Sequence, residues 1–102
     1  MRYNLEQINK AFENRVRLGI MSVLMANESI DFVSLKSLLD LTDGNLASHA
    51  RNLEELGYIH SIKKFVGRKP NTTYSITDNG REAFISHINA IETLLKSSTK
   101  TN

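Results

Sequence analysis

Between Leu41 and Arg81 the chain reads LTDGNLASHARNLEELGYIHSIKKFVGRKPNTTYSITDNGR, and no other stretch restricts the fold as severely. Thr42 and Asp43 start a helix: a hydroxyl that accepts from the free N–H groups of the first turn, then a carboxylate favoured by the helix dipole. Leu46, Ala50, Leu53 and Leu56 recur at helical spacing and predict an inward face. Gly57 then suits the left-handed residue that ends a helix. Tyr58 to Val66 and Thr72 to Ile76 are rich in aromatic and β-branched residues, as strands are, and the intervening GRKPN holds the chain's one proline. Thr77-Asp78-Asn79-Gly80 caps another helix. Strands joined by so short a link pair antiparallel, because a parallel pair needs a crossover of a dozen or more residues. The order is therefore helix, hairpin, helix.

The flanking sequence supplies more helix. Leu5, Ile8 and Phe12 at i, i+3 and i+7 predict a short helix over Asn4 to Phe12, and Asn14 caps a second over Arg15 to Met25 with Val16, Ile20, Met21 and Leu24 inward. Ser29 to Phe32 suits a small strand. Val33 to Leu39 forms a short helix with Leu35, Leu38 and Leu39 inward; Asp31 is its candidate cap, while Val33, just before Ser34, is a poor one. The link from Leu39 to Thr42 admits only a tight turn between packed helices. The last helix runs from about Asp78 to Leu95, and the polar tail KSSTKTN frays. The expected fold is mainly α with a small β-wing (α+β): a winged helix-turn-helix with a three-helix core, a β-hairpin and a long C-terminal dimerisation helix. The expected organisation is one domain over residues 1–102.

Composition narrows the chemistry. With 40% hydrophobic and 24% charged residues, the chain is an ordinary globular one. It lacks an apolar run of the roughly 20 residues that a membrane span requires. Its N-terminus lacks the apolar core of a signal peptide, so the expected location is the cytoplasm. Cysteine is absent, which removes disulfides, thiolate zinc sites and cysteine nucleophiles together. No nucleophile elbow, phosphate-binding loop or HExxH motif occurs, so an enzyme is not expected. His49, His60 and His87 fall on three different elements, a poor arrangement for a metal site, and no metal or cofactor is expected.

Net charge is only +2, yet Lys63, Lys64, Arg68 and Lys69 stand together in a segment without an acid. Such a cluster can engage roughly two to four phosphates. On the preceding helix, burial of Leu46, Ala50 and Leu53 leaves Asn45, Ser48, His49, Arg51 and Asn52 on the polar side. Asn pairs with adenine, Arg with guanine N7 and O6, and Ser with bases or phosphates. Gly44, without a side chain, lets the helix N-terminus approach a phosphate or the preceding helix closely. A polar helix face or a basic loop alone is commonplace; the two in succession point to double-stranded DNA. The candidate contacts are Thr42, Asn45, Ser48, His49, Arg51 and Asn52 on the helix, with Lys63, Lys64, Arg68, Lys69 and Asn71 on the wing.

The run TDGNLASHARNLEELGYI followed by GRKPNTTYSITDNGR also resembles the winged helix-turn-helix transcriptional regulators of the MarR/ArsR-like group, in their small single-domain branch. The likeness covers about Arg15 to Leu95. It implies a homodimer that represses promoters at pseudo-palindromic sites, with Asn45, Ser48, His49 and Asn52 in the groove and Arg68 and Lys69 at the wing tip. Ala50 stands where the group usually carries Leu, which implies thinner packing under the recognition helix, and Val33 replaces a polar cap.

Assembly is read from the last helix. Phe84, Ile88, Ile91 and Leu95 follow a coiled-coil-like seam, and Ile85 and Leu94 widen it beyond one stripe. The expected dimer interface is Leu5, Ile8, Phe12, Phe84, Ile88, Ile91 and Leu95; otherwise the N-terminal helix covers this face within one chain. The alternative function is a winged-helix protein-interaction module whose cations meet an acidic partner. No effector ligand is legible.

Overall fold

In a computed structural model the described residues are 5–99, with side chains through residue 96. Four helices and three strands follow in order: α1 (Arg15–Ala26), β1 (Ile30–Asp31), α2 (Phe32–Leu39), α3 (Asp43–Glu55), β2 (Ile59–Val66), β3 (Lys69–Ile76) and α4 (Asp78–Thr99), preceded by a single 3-10 turn, Lys10–Phe12. The strands form one antiparallel sheet in the order β1-β3-β2. Ile20, Met21, Leu24, Leu35, Leu46 and Leu53, from three helices, are its largest fully buried side chains, and Ile59, Tyr74 and Phe84 close the core from the sheet and α4. This is a winged helix, α+β.

The N-terminal segment departs from the helix expected over Asn4 to Phe12, of which Asn4 lies outside the described residues. Only Lys10–Phe12 is helical, as a 3-10 turn capped by Asn9, whose Oδ1 accepts from Ala11 N–H at 2.9 Å. Tertiary anchors replace the missing helix. Phe12 is 2% exposed, with ring centroids 5.4 Å from Tyr58, 5.3 Å from Phe84 and 5.2 Å from His87. Asn9 donates its backbone N–H to His87 Nδ1 and its amide to the Tyr58 hydroxyl, both at 3.0 Å. This clasp ties the segment to α4 and to the foot of the hairpin.

The caps fix where α2 and α3 begin and where α2 ends. Asp31, not Val33, starts α2: its carboxylate accepts from Ser34 N–H at 3.1 Å and from the Ser34 hydroxyl at 2.6 Å. Val33 lies inside the first turn, where no cap is needed. These hydrogen bonds hold the Asp31 carboxyl below its ordinary range. Asp40 ends α2 in the left-handed region (φ 52°), and Thr42 caps α3 through Asn45 N–H at 3.1 Å. Lys36 and Asp43 bridge the two helices at 2.8 Å. Two expected core positions are exposed: Leu38 (65%) and Leu56 (46%) sit beyond the edge that neighbouring elements cover.

The hairpin turns more tightly than GRKPN suggests. Val66 pairs with Lys69, leaving Gly67 and Arg68 as a two-residue loop with Gly67 at φ +66°. A glycine of positive φ in the first loop position is the signature of a type II′ turn. Pro70 therefore lies within β3, opposite Phe65 in a non-hydrogen-bonded pair, and its missing N–H leaves no gap in the ladder. At the base, Thr77 Oγ1 donates to the Gly57 carbonyl at 2.6 Å and accepts from Gly80 N–H at 2.9 Å, joining the end of α3 to the start of α4. Gly80 passes so close to the Tyr58 carbonyl that a Cβ there would collide with it. α4 continues one turn past Leu95, to Thr99; residues 100–102 of the tail expected to fray lie outside the described residues.

Candidate nucleic-acid interface

With Leu46, Ala50 and Leu53 turned inward, α3 leaves Thr42, Asn45, Ser48, Arg51 and Asn52 exposed. Gly44, Ala47, Ser48, Arg51, Asn52 and Glu55 line one shallow depression on its outer face. A Cβ on Gly44 would meet nothing within 4 Å, so this glycine answers no packing need against α2 and only leaves the outer face low. Arg51 has no ion-pair partner among the described residues.

His49 is the exception. It is half-buried on the α1 side of the helix, and its Nδ1 stands 3.1 Å from a guanidinium nitrogen of Arg17. Arg17 is in turn fixed by donation from Nε to the Ala11 carbonyl at 2.6 Å. Sequence reasoning missed Arg17. A faint signal existed: α1 has no acid in its first turn and begins Arg-Val-Arg, placing cations where the helix dipole disfavours them.

The hairpin alternation divides the wing cations. Lys63 shares a face with Ser61, Thr72 and Tyr74, the face turned to α3, whereas Lys64, Lys69 and Asn71 project from the other and Arg68 sits at the turn. All four cations are exposed. A cleft of about 270 Å³ joins Ala47, Arg51 and Glu54 of α3 to Lys63, Thr72 and Tyr74 of the wing, so one helix cation and one wing cation border the same opening. Burial, and then the Glu54 carboxylate, raises the Tyr74 hydroxyl above its ordinary value. Asn71 Oδ1 is enclosed, with no hydrogen-bond partner among the described residues. Phe65, 76% exposed, and Val66, 64% exposed, also stand bare beside the turn.

Along α4 the residues separate into two stripes. Phe84, His87 and Ala90 are buried against the chain's own core, and Phe12 joins them there. Phe84 and Phe12 thus have little surface left for a partner, unlike Ile85 (44% exposed), Ile88 (42%), Ile91 (44%) and Leu95 (62%). Leu5 is exposed and Ile8 half-buried. His60 is exposed on β2, so the three histidines remain on separate elements, and no group of three or more His, Cys, Asp or Glu converges among the described residues.

An exposed polar helix face followed by a basic hairpin, carried on a three-helix core, is the arrangement of a winged-helix DNA-binding protein. The chain belongs to the winged helix DNA-binding domain family, whose sequence pattern matches residues 16–95. It is similar to an uncharacterised protein of Methanocaldococcus jannaschii, 39% identical over 87 residues, covering 85% of this chain and 95% of that one. Among solved structures it resembles a transcriptional regulator homologue from Pyrococcus horikoshii, at TM-score 0.83 and 32% identity over 93% of this chain and 95% of the other. The same fold recurs in the transcriptional repressor CouR bound to a 23-mer DNA duplex, at TM-score 0.71 and 17% identity over 87% of this chain and 62% of the other.

Proposed function

We propose that this protein is a sequence-specific transcriptional regulator, acting as a dimeric repressor, with α3 in the major groove and the wing on the flanking backbone and minor groove of a pseudo-palindromic operator. The observation that carries the reading is the shared opening between α3 and the wing, where Arg51 and Lys63 border one cleft and Ser48 and Asn52 continue the polar face. The solved likenesses described as a regulator homologue and as a repressor on duplex DNA support it. Dimerisation is supported by the uncovered stripe Ile85, Ile88, Ile91 and Leu95, since one recognition helix makes too few base contacts for high specificity.

Selection of bound sequences from a random duplex pool tests the reading. The expected product is an inverted repeat with half-sites about 10 base pairs apart or a multiple of that. Affinity should fall log–log with salt at about −0.9 per phosphate neutralised. Ile88→Asp should give monomers in sedimentation and lose the two-fold repeat, while helix content stays. The second reading, a protein-interaction module, is favoured by bare Phe65, Val66 and Val33 around the wing. It prevails if no sequence is enriched.

A further inference from the structure

The contact between Arg17 and His49 joins α1 to the polar side of α3 and has a chemical consequence for base reading. A guanidinium carries five N–H donors and no acceptor, and it stays charged. It can approach His49 Nδ1 at 3.1 Å only if that nitrogen offers its lone pair. The ring proton then resides on Nε2, and the free edge of the imidazole is a donor. The anchor is rigid, because the Arg17 Nε–H is already committed to the Ala11 carbonyl at 2.6 Å. His49 also lies one turn from both Asn45 and Asn52, within the group of candidate groove residues.

We propose that Arg17, outside the recognition helix, is a specificity-determining positioning residue: it holds the His49 ring so that Nε2–H faces an acceptor on a base edge. Guanine N7 and O6, adenine N7 and thymine O4 satisfy that donor, whereas the amino group of cytosine does not. The proposal rests on the DNA-binding reading above. It assigns Arg17 no phosphate.

Two measurements on the full chain test it separately. In the free protein, long-range 1H–15N correlation should show His49 wholly in the Nε2–H form and exposed His60 as a mixture of tautomers. Arg17→Met should return His49 to the mixture. On operators taken from the selected pool, Arg17→Met should relax preference at one base pair per half-site by roughly 3- to 10-fold, as the loss of one hydrogen bond allows. The salt slope should stay unchanged. His49→Ala should relax the same base pair, and adding Arg17→Met to it should change nothing further. Should Arg17→Met unfold the chain, Arg17→Lys serves, since it keeps the charge but cannot span Ala11 and His49 as the fork does.

A His49 that is Nδ1–H or mixed in the wild type overturns the proposal. So does a salt slope that drops by about 1 with base preference intact, which would make Arg17 a phosphate contact. If no DNA sequence is enriched at all, the DNA reading fails and this role with it, whatever tautomer the free protein shows.

Discussion

Helix α3 and the tip of the wing both present polar groups to solvent, but they are held in opposite ways. The inner face of α3 is anchored by three buried side chains, Leu46, Ala50 and Leu53, its start by the Thr42 cap, and its flank by Arg17 on His49. The wing is packed only at its base, where Ile59 and Tyr74 enter the core and Thr77 and Gly80 meet Gly57 and Tyr58. Beyond Ile62 on β2 every residue through Pro70 is exposed. Reading a base edge requires donors and acceptors placed to a fraction of an ångström, which a side chain on an anchored helix supplies. Neutralising phosphates requires only charge within reach, and a projecting hairpin supplies that.

The strongest way to break this contrast is through stability. Leu46→Ala should cost about 2–5 kcal/mol in urea unfolding, because the cavity lies beneath α3 with its neighbours already fixed. Phe65→Ala removes a larger side chain from the wing tip yet should stay within about 0.5 kcal/mol. Equal losses would mean that the tip packs on something and is not a free arm. A second contrast lies in DNA binding. Arg68→Ala with Lys69→Ala should weaken binding to all sequences alike and lower the salt slope by up to about 1.8, with melting unchanged. Replacing Asn52 by Ala should instead change which bases are preferred and leave the slope alone. An unchanged slope in the double variant would remove the wing tip from the interface.

How much of this was legible in the sequence follows from what each residue needs. Thr42, Gly57 and the glycine-bearing turn answer local backbone demands, so their roles could be assigned without knowing any neighbour. Leu38 and Leu56 could not be placed, because helical spacing says which residues share a face but not how far a neighbour covers it. Leu5, Ile8 and Phe12 fit helical periodicity, yet only Phe12 needed burial, and an aromatic nest with Tyr58, Phe84 and His87 supplied it without a helix. Phe84 and Ile88 lie one turn apart on α4, and the sequence offered no means of learning that the chain's own core takes one and leaves the other. The Arg17–His49 contact spans 32 residues and depends on how α1 crosses α3. Nor does the cluster of four wing cations reveal, before the strand register is known, that Lys63 faces α3 while Lys64 and Lys69 face away.

The smallest effect concerns the wing's base, through pH. His87 is 3% exposed, and burial lowers its pKa below the ordinary 6.5, outweighing the Glu13 carboxylate, which acts the other way. Its Nδ1 must stay unprotonated to accept the Asn9 N–H that closes the clasp against Tyr58 and α4. Between the folded and unfolded values the unfolded chain binds more protons, so the stabilisation is fully present above 6.5 and is lost as pH falls toward the folded value. The melting temperature should therefore drop more between about pH 7.5 and 5.5 in the wild type than in His87→Asn, whose Oδ1 still accepts and does not titrate. Asp31 does not confuse the result, since its hydrogen bonds to Ser34 keep it ionised well below that range. Arg68→Ala with Lys69→Ala should keep the full wild-type pH dependence, because the clasp belongs to the fold and the tip does not. If the tip variant alters that dependence, the base and tip of the hairpin are one cooperative unit, and the division between an anchored helix and a free arm fails.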